Sequence, residues 1–140
     1  MNYEQHDTYG IYRSIRHTGP GPKLLGAETL IGSDVYNYEE TDIGEIREIM
    51  LEVRNGYIAY AVLAFDFHAG MNEKLFAIPW GALTLDAENK RFLLNINKER
   101  LKNAPGFNKN KWPDLADLTL SNDIHAYYGI RPYHSRPANN

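Results

Sequence analysis

The chain has 140 residues, of which 43% are hydrophobic, with ten Tyr, five Phe, a formal net charge of −3 and no Cys; this size and apolar content suit one domain with one packed core. The missing Cys excludes disulfides, thiolate nucleophiles and thiolate metal sites, and the mildly acidic balance argues against a molecule drawn as a whole to nucleic acid or anionic lipid. No apolar run approaches the roughly 20 residues that cross a bilayer, and the Met1-Asn2-Tyr3-Glu4-Gln5 start lacks a basic-then-apolar signal pattern, so a cytoplasmic protein is expected.

Residues 1–23 mix Tyr, Arg, His and polar residues without a period and close on Gly19-Pro20-Gly21-Pro22, which neither helix nor sheet uses internally; a flexible N-terminal arm is expected. The folded domain is expected to start at Leu24, with a β-rich segment from Thr29 to Tyr36. Thr41-Asp42-Ile43-Gly44 turns the chain into Glu45–Arg54, and Asn55-Gly56 separates that arm from Tyr57–Phe65. Asn-Gly between two apolar segments is a strong hairpin signal, because both residues tolerate the positive φ of a type I′ turn. On the first arm Ile49, Leu51 and Val53 alternate with Met50, Glu52 and Arg54, which predicts one apolar face. The second arm is apolar on both faces and is expected to be a central strand covered on both sides.

Asp66–Asn72 reads as a loop, Glu73–Pro79 as a strand, Trp80-Gly81 as a break, and Ala82–Leu85 with Arg91–Ile96 as a second hairpin. Lys98–Lys102 follows a potential Asn97 cap and reads as a short helix ended by Pro105-Gly106. Ser121 or Asn122 is placed to cap a last short helix over Asp123–Tyr128, stopped by Gly129. The fold class is therefore mainly all-β, a small barrel with short helical segments near the C-terminus. Closure of the sheet would remove the edges that so many short strands leave.

Three ordered blocks carry a resemblance: Gly44-Glu45-Ile46; Arg54-Asn55-Gly56-Tyr57-Ile58-Ala59-Tyr60-Ala61-Val62-Leu63; and Glu73 to Leu83, with Pro79-Trp80-Gly81 inside it. Continued through Asn97–Pro105, they resemble the PRC-barrel family, and in particular its free-standing bacterial members. The resemblance covers roughly residues 24–113, leaving 114–140 as a C-terminal extension. It implies a compact barrel used as a docking surface, as in the cytoplasmic domain of the photosynthetic reaction centre H subunit and in a ribosome-maturation factor.

Site chemistry is sparse. His6, His17, His68, His125 and His134 lack the spacing that brings imidazoles onto one metal, and Ser14, Ser33, Ser121 and Ser135 have no nucleophile elbow around them, so neither a metal, a cofactor nor an enzymatic activity is expected. Phe67–Asn72 could present a ligand or simply connect strands, and Trp80 reads as a core or barrel-end residue. Charge is uneven. Glu39, Glu40, Asp42, Glu45, Glu48 and Glu52 stand against Arg47, whereas Lys90 to Lys111 holds seven Lys/Arg against Glu99. Such patches could pair between copies or be solvated surface.

Two stretches are candidate partner-binding surfaces. One is Tyr127, Tyr128, Arg131 and Tyr133, because Tyr and Arg are enriched in protein interfaces; this tail either packs back on the barrel or reaches a second subunit. The other is Lys98, Arg100 and Lys102 with Lys109 and Lys111, interleaved with Phe107 and Trp112, where cations suit phosphates and aromatics suit bases; alternatively, Leu101 and Phe107 cover a barrel end while the cations stay in water. The expectation is a non-catalytic protein-docking module that self-associates as a dimer, with a ribosome- or RNA-associated factor using residues 98–111 as the alternative.

Overall fold

A computed structural model describes residues 24–65 and 73–132. The expected arm at 1–23, the Phe67–Asn72 loop and Tyr133 lie outside the described residues. A one-turn helix, α1 (Ala27–Leu30), leads into β1 (Asp34–Tyr36), β2 (Asp42–Glu52) and β3 (Tyr57–Phe65). The Thr29–Tyr36 segment is thus strand only in its second half. β4 (Lys74–Pro79), a 3₁₀ turn over Trp80–Ala82, β5 (Leu83–Asp86) and β6 (Arg91–Leu94) follow, then α2 (Lys98–Lys102), β7 (Phe107–Asn108) and α3 (Leu118–Tyr128).

The seven strands form one sheet of order β5-β6-β1-β2-β3-β4-β7. All neighbours are antiparallel except β1 and β6, which are parallel through Val35↔Phe92 and Tyr36↔Leu93. The sheet curls around its own inner face. Side chains from near both ends, Phe76 and Ile78 of β4 and Phe92 and Leu94 of β6, meet Ile43, Ile46, Leu63 and Leu101 in one buried cluster, and Trp80 packs edge-on against Phe92 with ring centroids 5.7 Å apart. The interior is therefore filled by side chains, as small barrels usually are.

β2 supplies the curl. Ile43, Ile46 and Ile49 all face this cluster, a spacing of three that a regular strand could not place on one face. Two irregularities make it possible: the register against β1 shifts between Val35↔Gly44 and Tyr36↔Asp42, and Arg47 is the extra residue between Ile46↔Leu63 and Glu48↔Val62. Each bulge bends the strand and reverses which face the next side chain takes. At the first bend Gly44 has φ +129°, and a Cβ there would lie 2.3 Å from the Ala64 carbonyl oxygen. Only glycine lets β2 and β3 approach this closely.

β3 is buried on both faces, as its sequence predicts. Ala61 and Leu63 face the main core, while Tyr60, Val62 and Ala64 face outwards with Leu75 and Ala77 of β4. The outer layer is covered by Ile124 and Tyr128 of α3, by Phe107 and by Leu115. Phe107 therefore covers the outside of the sheet and not a barrel end, whereas Leu101 is wholly buried in the main core.

Local capping chemistry sets the remaining boundaries. Asn97 Oδ1 accepts the Arg100 N–H at 2.7 Å, as its position before α2 suggests. The last helix starts earlier than expected, because Asp117 accepts the Leu120 N–H at 3.0 Å and caps it; Ser121 and Asn122 are inside it. The β2–β3 connection is not a two-residue type I′ turn. β2 ends at Glu52, four residues intervene, and the Gly56 N–H closes on the Glu52 carbonyl at 2.8 Å. Only Gly56, at φ +77°, is left-handed there; Asn55 is not. At the opposite end, Arg91 ties the β5–β6 hairpin to the turn after β1. It donates to Asp86 at 3.1 Å and to both Glu40 oxygens at 2.9 and 3.1 Å, with its guanidinium 4.9 Å from the Tyr36 ring centre.

Candidate functional site: a groove beside the hairpin

The β2–β3 hairpin outruns the core. The alternation of Ile49, Leu51 and Val53 continues past the last layer that can bury it, leaving Leu51 58% and Val53 89% exposed, with Tyr57 at 53%. The predicted apolar face of this arm is thus core only at Ile49. Beyond it, Ala59 is an extra residue on β3, since Met50 pairs with Tyr60 and Leu51 with Ile58. Met50 and Tyr60, the pair next to the inward Ile49 and Ala61, face outwards by plain alternation, onto the chain that runs from β7 into α3.

That chain is held as a strap. Gly106 passes over β4, where an added Cβ would lie 2.7 Å from Lys74 Cε and 3.0 Å from the Leu75 carbonyl oxygen, and this close crossing lets Phe107 pair with Leu75. Trp112 then stacks on Phe107 with centroids 5.1 Å apart and donates its indole N–H to the Lys109 carbonyl at 3.1 Å. Asp114 Oδ1 accepts the Ala116 N–H at 3.0 Å. Between strap and hairpin lies a groove of about 440 Å³, lined by Met50, Leu51, Glu52 and Tyr60 on one side and by Trp112, Asp114 and Leu118 on the other. Leu118 is 62% exposed and Trp112 40%. A smaller pocket of about 250 Å³ lies beyond the shared Trp112-Pro113 wall and includes Lys111.

The groove floor carries a buried polar chain. Tyr60 donates its hydroxyl to Ser121 Oγ at 2.9 Å, and His125 packs against the Tyr60 ring with centroids 5.5 Å apart. His125 Nδ1 lies 2.7 Å from the Ser121 carbonyl oxygen and 3.4 Å from Ser121 Oγ. A carbonyl only accepts, so Nδ1 holds the proton and donates it to the backbone. That nitrogen therefore cannot take a proton from Ser121, and the pair is a packing device and not an activated nucleophile. Burial raises the Tyr60 phenol above its ordinary pKa, partly offset by the bond to Ser121.

The residues singled out from sequence fall into different settings. Tyr127 and Arg100, assigned to separate stretches, meet: the guanidinium lies 4.5 Å from the Tyr127 ring centre and donates to the Tyr127 carbonyl at 2.7 Å, while the Tyr127 hydroxyl donates to the Arg100 carbonyl. Lys98 sits with its ammonium 5.5 Å from the Phe65 ring centre. Tyr128 packs against both the main core and the outer layer; its hydroxyl is buried with no hydrogen-bond partner among the described residues, and burial holds its pKa above the ordinary tyrosine value. Lys102 and Arg131 are exposed. Sequence reasoning names Trp112 and Ser121 in other roles and misses the groove itself, because Leu51 and Leu118 look like ordinary core positions. Asp117 ahead of two leucines was the available signal for where α3 begins.

Among the described residues no three His, Asp or Glu side chains are grouped to hold a metal ion, and no helix is long and apolar enough to cross a membrane. A curled, bulged sheet with a filled interior and an apolar groove on its outer side defines a small β domain whose accessible features are surfaces. The chain belongs to the PRC-barrel domain family, whose model matches residues 22–101. No curated protein matches the chain in sequence. One wall of the groove, on β2 and β3, lies inside the matched region; the other, Trp112 to Ser121, follows it.

Proposed function

We propose that this PRC-barrel protein is a non-catalytic protein-docking module of the cytoplasm whose principal contact face is the groove and the hairpin end beside it. The observation that carries this reading is the concentration of exposed large apolar side chains there: Leu51, Trp112 and Leu118 line the groove, and Val53 and Tyr57 flank it. Contiguous exposed apolar surface, aromatic residues included, is typical of sites that are covered by a partner. The test is affinity capture from native cells with the intact protein and with a Leu51→Ser/Leu118→Ser variant. Both positions are more than half exposed, so the variant should fold. Proteins retained at high salt by the parent and lost from the variant support the reading; an identical recovered set refutes it.

The docking activity extends, in this reading, to a second copy. Arg131 is exposed just after α3, and with Tyr133, which follows it in the sequence, it is the contact proposed between copies. Sedimentation velocity over a concentration series should show a dimer that weakens on Arg131→Ala/Tyr133→Ala substitution, and a monomer at every concentration removes this part. A ribosome- or RNA-associated role through residues 98–111 is the second reading. Exposed Lys102, Lys109 and Lys111 favour it, whereas Arg100 and Trp112 already stack on Tyr127 and Phe107. RNA affinity falling steeply with salt and lost on substituting those lysines by Gln would promote it over protein docking.

A further inference from the structure

Two carboxylates line the groove. The only charged side chains lining it, among the described residues, are Glu52 and Asp114, one from each wall. Asp114 is exposed and Glu52 half-buried, and both share the lining with the apolar side chains of Met50, Ala59 and Leu115. From Trp112 to Ser121 the strap wall holds two Asp and no Lys or Arg; Asp114 lines the groove while Asp117 caps α3, and Lys111 borders the smaller pocket on the far side of Trp112-Pro113. A volume of about 440 Å³ is in the range of sites that enclose a small ligand or a few side chains.

Resting on the docking reading, we infer that this groove takes an extended peptide segment of a partner protein that carries a large apolar side chain next to a Lys or Arg. The apolar side chain enters between Leu51 and Leu118, covering surface that water otherwise contacts. The cation reaches the rim, where its aliphatic stem lies along Trp112 and its head stays solvated beside Asp114 or Glu52. An acidic segment is disfavoured by the same two carboxylates, which gives the groove its selectivity as much as the attraction does.

The experiment selects a random peptide library displayed on phage against the intact protein, then measures the winners by fluorescence anisotropy against the parent, Asp114→Asn, Glu52→Gln and Leu118→Ser proteins. Asn and Gln keep the carbonyl oxygens that accept the Ala116 and Arg54 N–H groups, so these variants remove charge and leave the turns intact; circular dichroism checks that they do. The expected winners pair an apolar residue with Lys or Arg, lose binding to Leu118→Ser, and weaken about two- to fivefold with each neutralised carboxylate and further with salt. Winners that need Leu118 but show no enrichment in Lys or Arg overturn this inference and leave the docking face standing. Winners indifferent to Leu118, or none at all, overturn both. Concentration-dependent self-assembly abolished by Leu118→Ser would assign the groove to a second copy and likewise overturn the inference.

Discussion

Replacing Gly44 by Ala tests the bend that makes the sheet close on its core. The new Cβ would stand 2.3 Å from the Ala64 carbonyl oxygen and 2.9 Å from Leu63 Cδ1, so β2 and β3 must separate where Glu45 pairs with Ala64. Two costs add. A non-glycine residue at φ +129° carries backbone strain of about 1–2 kcal/mol, and forcing a methyl group against fixed backbone costs about 1–3 kcal/mol more. Gly56→Ala is the matched control: its φ is +77°, but nothing lies within 4 Å of the added Cβ, so only a strain cost of about 1–2 kcal/mol applies. Urea unfolding of both variants, with the slope checked for constancy, should place Gly44→Ala below Gly56→Ala by about 1–3 kcal/mol. A gap under about 0.5 kcal/mol would mean that the strands do not cross this closely and that the account of the bend is wrong.

Three further expectations concern the polar contacts. Tyr128→Phe should raise stability by about 1 kcal/mol, because the buried hydroxyl it removes has no partner among the described residues, whereas Tyr60→Phe should lower it by a similar amount through the lost bond to Ser121; thermal melts that rank the two the other way refute the assignment. Tyr127→Phe should cost about 0.5–1.5 kcal/mol by removing the hydroxyl bond to the Arg100 carbonyl, and amide exchange in α2 should quicken; unchanged exchange would mean that the clasp does not hold α2. Asp86 is held below its ordinary pKa, first by the Asn89 side chain and then by Arg91, and Glu40 is lowered by Arg91. Depressed carboxylates stabilise above their unfolded pKa and lose that contribution as pH falls through the folded one. The stability difference between parent and Asp86→Asn should therefore be full near neutrality and shrink only as the pH falls below the ordinary aspartate pKa of about 3.9; a difference that grows on acidification contradicts this.

Much of the fold was legible because local chemistry and burial agreed. The double-faced apolar run of β3, the Asn97 cap, the Trp80-Gly81 break and the β5–β6 hairpin all stand where their residues put them. The groove was illegible for a physical reason. Leu51 and Val53 obey the alternation of a strand with a buried face, and alternation says nothing about where the core stops. The pairing of Arg100 with Tyr127 was hidden in the same way, since 27 residues of chain separate them and only the packing of α2 and α3 brings them together.

By itself, the sequence determined the strand-rich class, the family resemblance, the hairpin positions and the absence of thiol chemistry, because turn residues, caps and apolar runs act over a few neighbours. Tertiary structure decided which face each side chain took. Bulges at Gly44 and Arg47 turned Ile43, Ile46 and Ile49 inwards despite a spacing of three; with Ile49 paired inwards to Ala61, the next pair, Met50 and Tyr60, faces outwards beneath the strap. A one-residue shift in register reverses every side chain that follows it, and that shift depends on contacts between strands, not on any one strand's sequence.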